Sequence, residues 1–455
     1  MPRNYDNIEE KISETGFFSE YLPPCFKLDR TIFLHPPTEN CDLIEPYCYT
    51  MSRFSGNDAR RNIFIPEIGS YLVAQQYMRQ TKIIKEIIEF SENSKFSFSP
   101  ILGKDDNVMR HEQVYTSVPM GLDEISSDYI ENIAEKMIRS TGAKQILKLD
   151  ISNCFSSFYM HMIPSILLGK DNAENEYKKY LKDKADTTIN STYLKYKKLD
   201  MVIRHQNLNR TNGLLPGILS SKIIVEGILS RIDIELECQG INFSRYVDDY
   251  EVYLYNGEKK EVISIFNKIL NRYGFTLNAE KTEIIDFPYY IVDNLGQLFL
   301  SRSEESLDTS KTMALFDVFL SLEKSGTKGA IRYLLKSIEK KQIQTDNSKL
   351  YKSYLLTIIG NNERSLTKAC SLLIGNRDSL TLDSIDITFI KNLLVLHLDC
   401  DHDLEVVWLL YLLIKTENIE MGDSTIKSIV DSHNELAKIL LLRNTLLSEE
   451  LLDSA

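Results

Sequence analysis

The stretch that most constrains the fold is Ser244-Arg245-Tyr246-Val247-Asp248-Asp249-Tyr250-Glu251-Val252-Tyr253-Leu254-Tyr255, where two adjacent carboxylates sit among β-branched and aromatic residues. Those neighbours favour pleated, half-buried backbone, so the segment reads as strand, tight turn, strand. Successive residues of a strand face opposite sides of the sheet, so two consecutive aspartates can address one site only from the turn. Like charges held this close repel. A hard divalent cation such as Mg²⁺ relieves that repulsion, because it favours one or two carboxylates together with substrate phosphates. Asp-Asp also occurs in solvated turns, so the pair alone does not define a site.

A second segment adds the missing donor. Gln145-Ile146-Leu147-Lys148-Leu149-Asp150-Ile151-Ser152-Asn153-Cys154-Phe155 reads as an apolar strand ending in Asp150, then a short turn. Three carboxylates on neighbouring strands form a donor set for two metal ions, the arrangement that serves in-line phosphoryl displacement.

Four segments in order then carry a family resemblance: Asp150 with Phe155 five residues on, Gly213-Leu214-Leu215-Pro216-Gly217-Ile218-Leu219-Ser220-Ser221, Tyr246-Val247-Asp248-Asp249, and Leu277-Asn278-Ala279-Glu280-Lys281-Thr282. They resemble motifs A to D of reverse transcriptases. The run from Phe155 through His161 to Ile163-Pro164, with Gly169-Lys170 after it, is similar to the bacterial abortive-infection and other defence-associated reverse transcriptases. The resemblance spans about residues 50–290, and more weakly the C-terminal third.

The resemblance implies a site. Asp150, Asp248 and Asp249 hold two Mg²⁺, with Mn²⁺ able to substitute, and the Ile151 carbonyl contributes. Phe155 stands at the steric-gate position that selects deoxynucleotides, although a core aromatic beside the sheet would fit the same text. Lys281 matches the lysine that meets departing pyrophosphate as acid or point charge. Arg60 or Arg61, in a basic strand before Ile65-Pro66, grips the triphosphate through a planar fork of donors; the sequence does not choose between them. Gly217 lets backbone approach a flat base pair, and Ser221 belongs to the same substrate-binding motif. The Gln that retroviral enzymes place between Pro and Gly is missing at Pro216-Gly217, and Leu215 stands where the defence group often has proline.

Helical and strand periodicities through residues 145–300 predict an α+β fold, the fingers and palm of a right-hand polymerase with an antiparallel sheet. From about Thr309 the pattern is almost continuous amphipathic helix, broken at Gly326, Gly360-Asn361-Asn362, Gly375-Asn376 and Asn418, and predicts an all-α, HEAT-like domain. The expected division is 1–300 and 301–455. Within the first part, helices are expected from near Ile68, over 82–92, from Asp123 to Ser140 with Ile130, Ile133, Met137 and Ile138 on one face, and over Lys259 to Tyr273, closed by Gly274. Tyr289 to Leu300 is expected to form a hairpin around Gly296. The first fifty residues, broken by prolines, are expected to pack over the catalytic domain.

The formal charge of −12 is awkward for an enzyme that tracks along a duplex, since Lys and Arg supply most non-specific affinity. Lysines and tyrosines interleave over Lys170 to Lys198, but acids among them favour a solvated surface. His161 and Gln206 are expected to make structural hydrogen bonds. Seven cysteines with no C-x-x-C pair fit reduced thiols, and no apolar run approaches a membrane span, so a cytoplasmic protein with no membrane partner is expected. Expected partners are dNTPs, a DNA product, and a homo-oligomer or a second defence protein. Some relatives extend DNA from their own tyrosine without a conventional template, and 24 tyrosines permit this without naming a primer. Two alternatives stay open: an RNA-templated enzyme using a dedicated non-coding RNA, and a catalytically silent sensing scaffold.

Overall fold

Apolar strands flanked by apolar helices gather the acidic segments into one four-stranded sheet. The computed structural model describes residues 3–34, 42–52, 60–103, 108, 129–290 and 295–447. The expected fingers-strand residues Asp58 and Ala59, and the part of the Asp123–Ser140 helix before Tyr129, lie outside them.

The chain opens with helix α1 (Tyr5–Thr15), strands β1 (Tyr47–Ser52) and β2 (Arg60–Ile65), and helices α2 (Ile68–Gln80), α3 (Ile83–Ser91) and α4 (Tyr129–Arg139). Strand β3 (Gln145–Asp150) leads into the short helices α5 (Cys154–Ser157) and α6 (Ser165–Leu168), then α7 (Lys170–Lys182), α8 (Ser191–His205) and α9 (Leu219–Cys238). Next come β4 (Phe243–Tyr246), β5 (Asp249–Leu254), α10 (Lys259–Arg272) and β6 (Glu283–Asp286). The central sheet has the order β4-β5-β3-β6 and is antiparallel throughout. Its register sets Asp150 opposite Asp249 and places Lys148 between Glu251 and Glu283, a cross-strand charge match of the kind that holds register. Gly274, with φ +81°, follows α10 in the left-handed conformation of a helix stop.

Behind this sheet, one core joins Leu147 and Leu149 to Ile84, Ile87, Ile223, Ile228, Phe266 and Leu270, and takes in Ile8 and Ile12 of α1. A second core belongs to the C-terminal helices. These are α11 (Leu295–Leu300), α12 (Thr309–Lys324), α13 (Ala330–Lys341), α14 (Ser348–Asn361), α15 (Glu363–Gly375), α16 (Ser384–Asp399), α17 (Asp403–Lys415), α18 (Ser424–Val430) and α19 (Glu435–Arg443). Helix α17 is buried almost all round, from Leu404 to Leu413. Such a helix is apolar on every side because neighbours enclose it.

Three expectations change. The first fifty residues divide: α1 joins the core of the central sheet, whereas Phe17, Leu22, Phe26 and Tyr49 join the core of the C-terminal helices. The Trp408 indole donates to the Tyr21 carbonyl at 2.7 Å across that contact. The hairpin expected around Gly296 is helix α11, because Leu295, Leu298 and Phe299, at helical spacing, pack on the C-terminal core and burial overrides local strand propensity. On α4, Met137 and Ile138 of the expected apolar face are exposed and Ile133 is half-buried.

Candidate active site

Backbone pairing alone gathers the acids. Asp150 ends β3 directly beside Asp249, which begins β5, and the Ile151 N–H donates to the Asp248 carbonyl at 3.2 Å. The segment carrying Lys281 is stitched to the same strand end. The Asn278 N–H donates to the Asp150 carbonyl and the Ser152 N–H to the Thr276 carbonyl, both at 2.8 Å. Lys281 Nζ then donates to Asp150 Oδ1 at 2.7 Å. Asn153, at φ +49°, swings the chain out of β3 into α5 and leaves Phe155 half-buried over the core of the sheet.

One lysine does not neutralise three acids. Burial, then the charge of Asp150, raises the Asp248 carboxyl above its ordinary range. Asp249 reaches solvent but is hemmed in by protein on most sides. Burial, the Asp248 charge and a hydrogen bond shared with Asp150 push it up to about 7. Burial works against the charge on Lys281, yet its bond to Asp150 and the three acids hold its pKa above the usual lysine value. The donor atoms are hard carboxylate oxygens at a point of excess negative charge, which fits Mg²⁺ or Mn²⁺.

The turn that presents Asp248 is held by groups that sequence reasoning passed over. Val247 has φ +52°, costly for a β-branched residue, and the surrounding structure enforces it. Its N–H donates to Ser99 Oγ at 2.8 Å, and its carbonyl accepts from Arg245 Nη1 at 3.0 Å. Arg245 is wholly buried; it also grips Asp233 through Nε at 2.9 Å and through Nη2 at 2.8 Å, and Glu226 through Nη1 at 3.0 Å and Nη2 at 2.8 Å. The signal was present as Glu226 and Asp233, seven residues and so two turns apart on one face of α9, and an arginine inside an aromatic strand.

Strand alternation separates the two candidate arginines. Arg60 turns to the C-terminal helices, pairing with Glu405 and with Glu363 at 3.1 Å. Arg61 is exposed on the other face, where its charge lowers the Asp248 pKa. Two residues of the Gly213–Ser221 segment have packing roles within the fold. A Cβ on Gly217, at φ +110°, would fall 2.5 Å from Ile63 Cγ2, so its missing side chain admits β2, with the Phe64 N–H donating to the Pro216 carbonyl at 2.9 Å. Ser221 is fully buried and its hydroxyl has no partner among the described residues, because the first turn of α9 lies inside the core.

His161 Nδ1 meets Asp200 Oδ2 at 2.8 Å, the structural bond expected of it. Gln206 is buried with neither amide atom paired among the described residues. In the Lys170 to Lys198 segment, Tyr193 and Tyr196 are buried and Lys179 and Lys195 are paired with Glu176 and Glu86. No helix among the described residues is long and apolar enough to cross a membrane.

Three acids and a lysine thus converge on adjoining strand ends, and the family match that follows indicates a nucleotidyltransferase of the reverse-transcriptase type. The chain belongs to the family described as reverse transcriptase (RNA-dependent DNA polymerase), whose model matches residues 81–334. Polymerases of this family use divalent metals. Among solved structures, the chain is similar to telomerase from Candida albicans in complex with the TWJ fragment of telomeric RNA: 13% identity, covering 82% of this chain and 67% of that one, TM-score 0.34. Apo telomerase from Candida tropicalis gives 13% identity, 90% and 70% coverage and a TM-score of 0.37. Likenesses this loose carry no structural argument. No curated protein matches the chain.

Proposed function

We propose that this chain is a DNA polymerase of anti-phage defence that adds deoxynucleotides at Asp150, Asp248 and Asp249. The observation that carries the reading is the excess of negative charge where β3 meets the β4–β5 turn, with Asp249 raised to about 7 beside Asp150. The same reading treats the central sheet as a palm and β1–β2 as fingers within residues 1–300, and the helices of 301–455 as a HEAT-like domain.

In the proposed reaction a 3′ oxygen, or a tyrosine hydroxyl in the first cycle, bonds to the α-phosphorus of a dNTP while the bridging oxygen to the β-phosphate leaves with pyrophosphate. Two bound divalent ions would promote attack and neutralise charge on the phosphates. Asp150 and Asp248 would hold them, with Asp249 more peripheral and the Ile151 carbonyl assisting. Lys281 supplies a proton or positive charge to pyrophosphate, Arg61 steadies the triphosphate, and Phe155 packs against the sugar. The defence setting and the protein primer rest on the abortive-infection resemblance, and assembly into a homo-oligomer belongs to the same reading. The intact acidic set weighs against a silent scaffold.

The test is to incubate purified protein with labelled dNTPs and Mg²⁺ and no added nucleic acid, beside Asp248→Ala/Asp249→Ala. Protease-sensitive label in wild type alone is the expected result. Label appearing only with co-purified RNA or an added primer-template favours the RNA-templated alternative, and none under any condition overturns the polymerase reading.

A further inference from the structure

Away from the acidic site, three metal-ligating side chains meet where the C-terminal helices touch β2. Glu363 begins α15, His397 lies in the last turn of α16 and His402 is the cap of α17. His397 Nδ1 and His402 Nδ1 are 2.9 Å apart, and His402 Nδ1 is 3.3 Å from Glu363 Oε1. One ligand atom from each of the three residues lies within 4.8 Å of the others. Zinc–nitrogen bonds of ~2.0–2.1 Å in a tetrahedron require donor separations of ~3.3 Å, which the His397–His402 and His402–Glu363 separations approach. We propose that Glu363, His397 and His402 form a binding site for one divalent transition-metal ion of the zinc class, distinct from the Mg²⁺ site.

The surroundings suit that ion. His397 is buried beside the imidazole of His402, with the two ring centroids 5.1 Å apart. Glu363 is divided in function: Oε1 faces His402, while Oε2 accepts from Arg60 Nη1 at 3.1 Å. Arg60 thus orients the carboxylate as an outer-shell partner, and its own charge is offset by buried Glu405. Two nitrogens and one oxygen favour zinc over magnesium, which prefers an all-oxygen shell. An ion here would tie three helices to β2, the strand whose other face carries Arg61. A metal-free alternative is a hydrogen-bonded His–His–Glu chain.

The test uses full-length protein without a polyhistidine tag, carrying Asp248→Asn and Asp249→Asn so that the acidic site is not counted. Chelator-stripped protein is titrated calorimetrically with zinc chloride and with magnesium chloride, and its melting is followed with and without zinc. The expected result is one equivalent of zinc per chain and a rise in melting temperature with zinc but not magnesium. In His397→Gln/His402→Gln, zinc should bind more than about 100-fold more weakly, beyond the loss expected from removing an outer partner. If that variant fails to fold, Glu363→Gln, at a half-exposed helix start, takes its place and should weaken zinc binding with metal-free melting unchanged. Absence of zinc uptake by the parent protein, or undiminished uptake by a folded ligand variant, overturns the proposal in favour of the hydrogen-bonded chain.

Discussion

Two clusters of charge sit three residues apart on one hairpin and are built on opposite principles. Around Arg245, two acids enclose a buried guanidinium whose donors all have acceptors: Asp233, Glu226 and the Val247 carbonyl. Around Asp248, three acids share Lys281, with Arg61 acting only at a distance. The first cluster is closed, since the guanidinium bonds both acids and each acid also accepts from a serine hydroxyl, Asp233 from Ser94 and Glu226 from Ser97. The second remains negatively charged, and part of that charge is suppressed by protonation near neutral pH. A closed cluster can hold a backbone turn in a costly conformation; an open one can recruit cations from outside.

The sharpest test of this contrast removes the open cluster. Asp248→Ala/Asp249→Ala should lower nucleotide incorporation on the order of 10³-fold or more while circular dichroism stays as in wild type. Retained activity would mean the acids are structural after all. Emptying the closed cluster should act on stability instead: Arg245→Met leaves two buried acids unpaired and should cost about 3–5 kcal/mol in urea unfolding. A neutral result there would break the comparison from the other side.

Smaller effects refine it. Lys281→Ala should reduce turnover roughly 10²-fold in single-turnover assays, the scale of a lost general acid, with little change in melting. The arginine pair should split by face: Arg61→Ala raises the KM for dNTP about tenfold, the scale of one lost charge-assisted bond, whereas Arg60→Ala lowers the melting temperature by releasing buried Glu405. The smallest effect concerns Asp249 without metal. Its folded pKa, about 7, lies above the unfolded value, so the native state holds an extra proton between about pH 4 and 7. Metal-free protein should therefore lose stability as pH rises through that window. Asp249→Asn should recover on the order of 1 kcal/mol at pH 7, a modest figure because solvent screens this carboxyl. Calorimetric melting in chelator across that range measures it.

Much of this was legible in the text. The Asp248-Asp249 turn, the Asp150 strand and the helices from Thr309 onward follow from periodicities of two and 3.6 that neighbouring residues impose on one another. Local pattern also placed the stops at Gly274 and Asn362. It misread Leu295–Leu300, where packing on a distant core outweighed local preference, and it placed Ser221 at a surface that α9 keeps inside.

The sequence by itself singled out the three acids, Lys281 and Phe155 as the candidate site, because they are spaced by the local geometry of strand and turn. Only the tertiary structure decided which arginine faces the acids, what Gly217 makes room for, and that Glu226, Asp233 and Arg245 form one buried network. It also brought Glu363, His397 and His402 together from three helices. Those facts depend on which faces of separate elements meet, and facing is set by burial and charge pairing across long stretches of chain, which no local periodicity encodes.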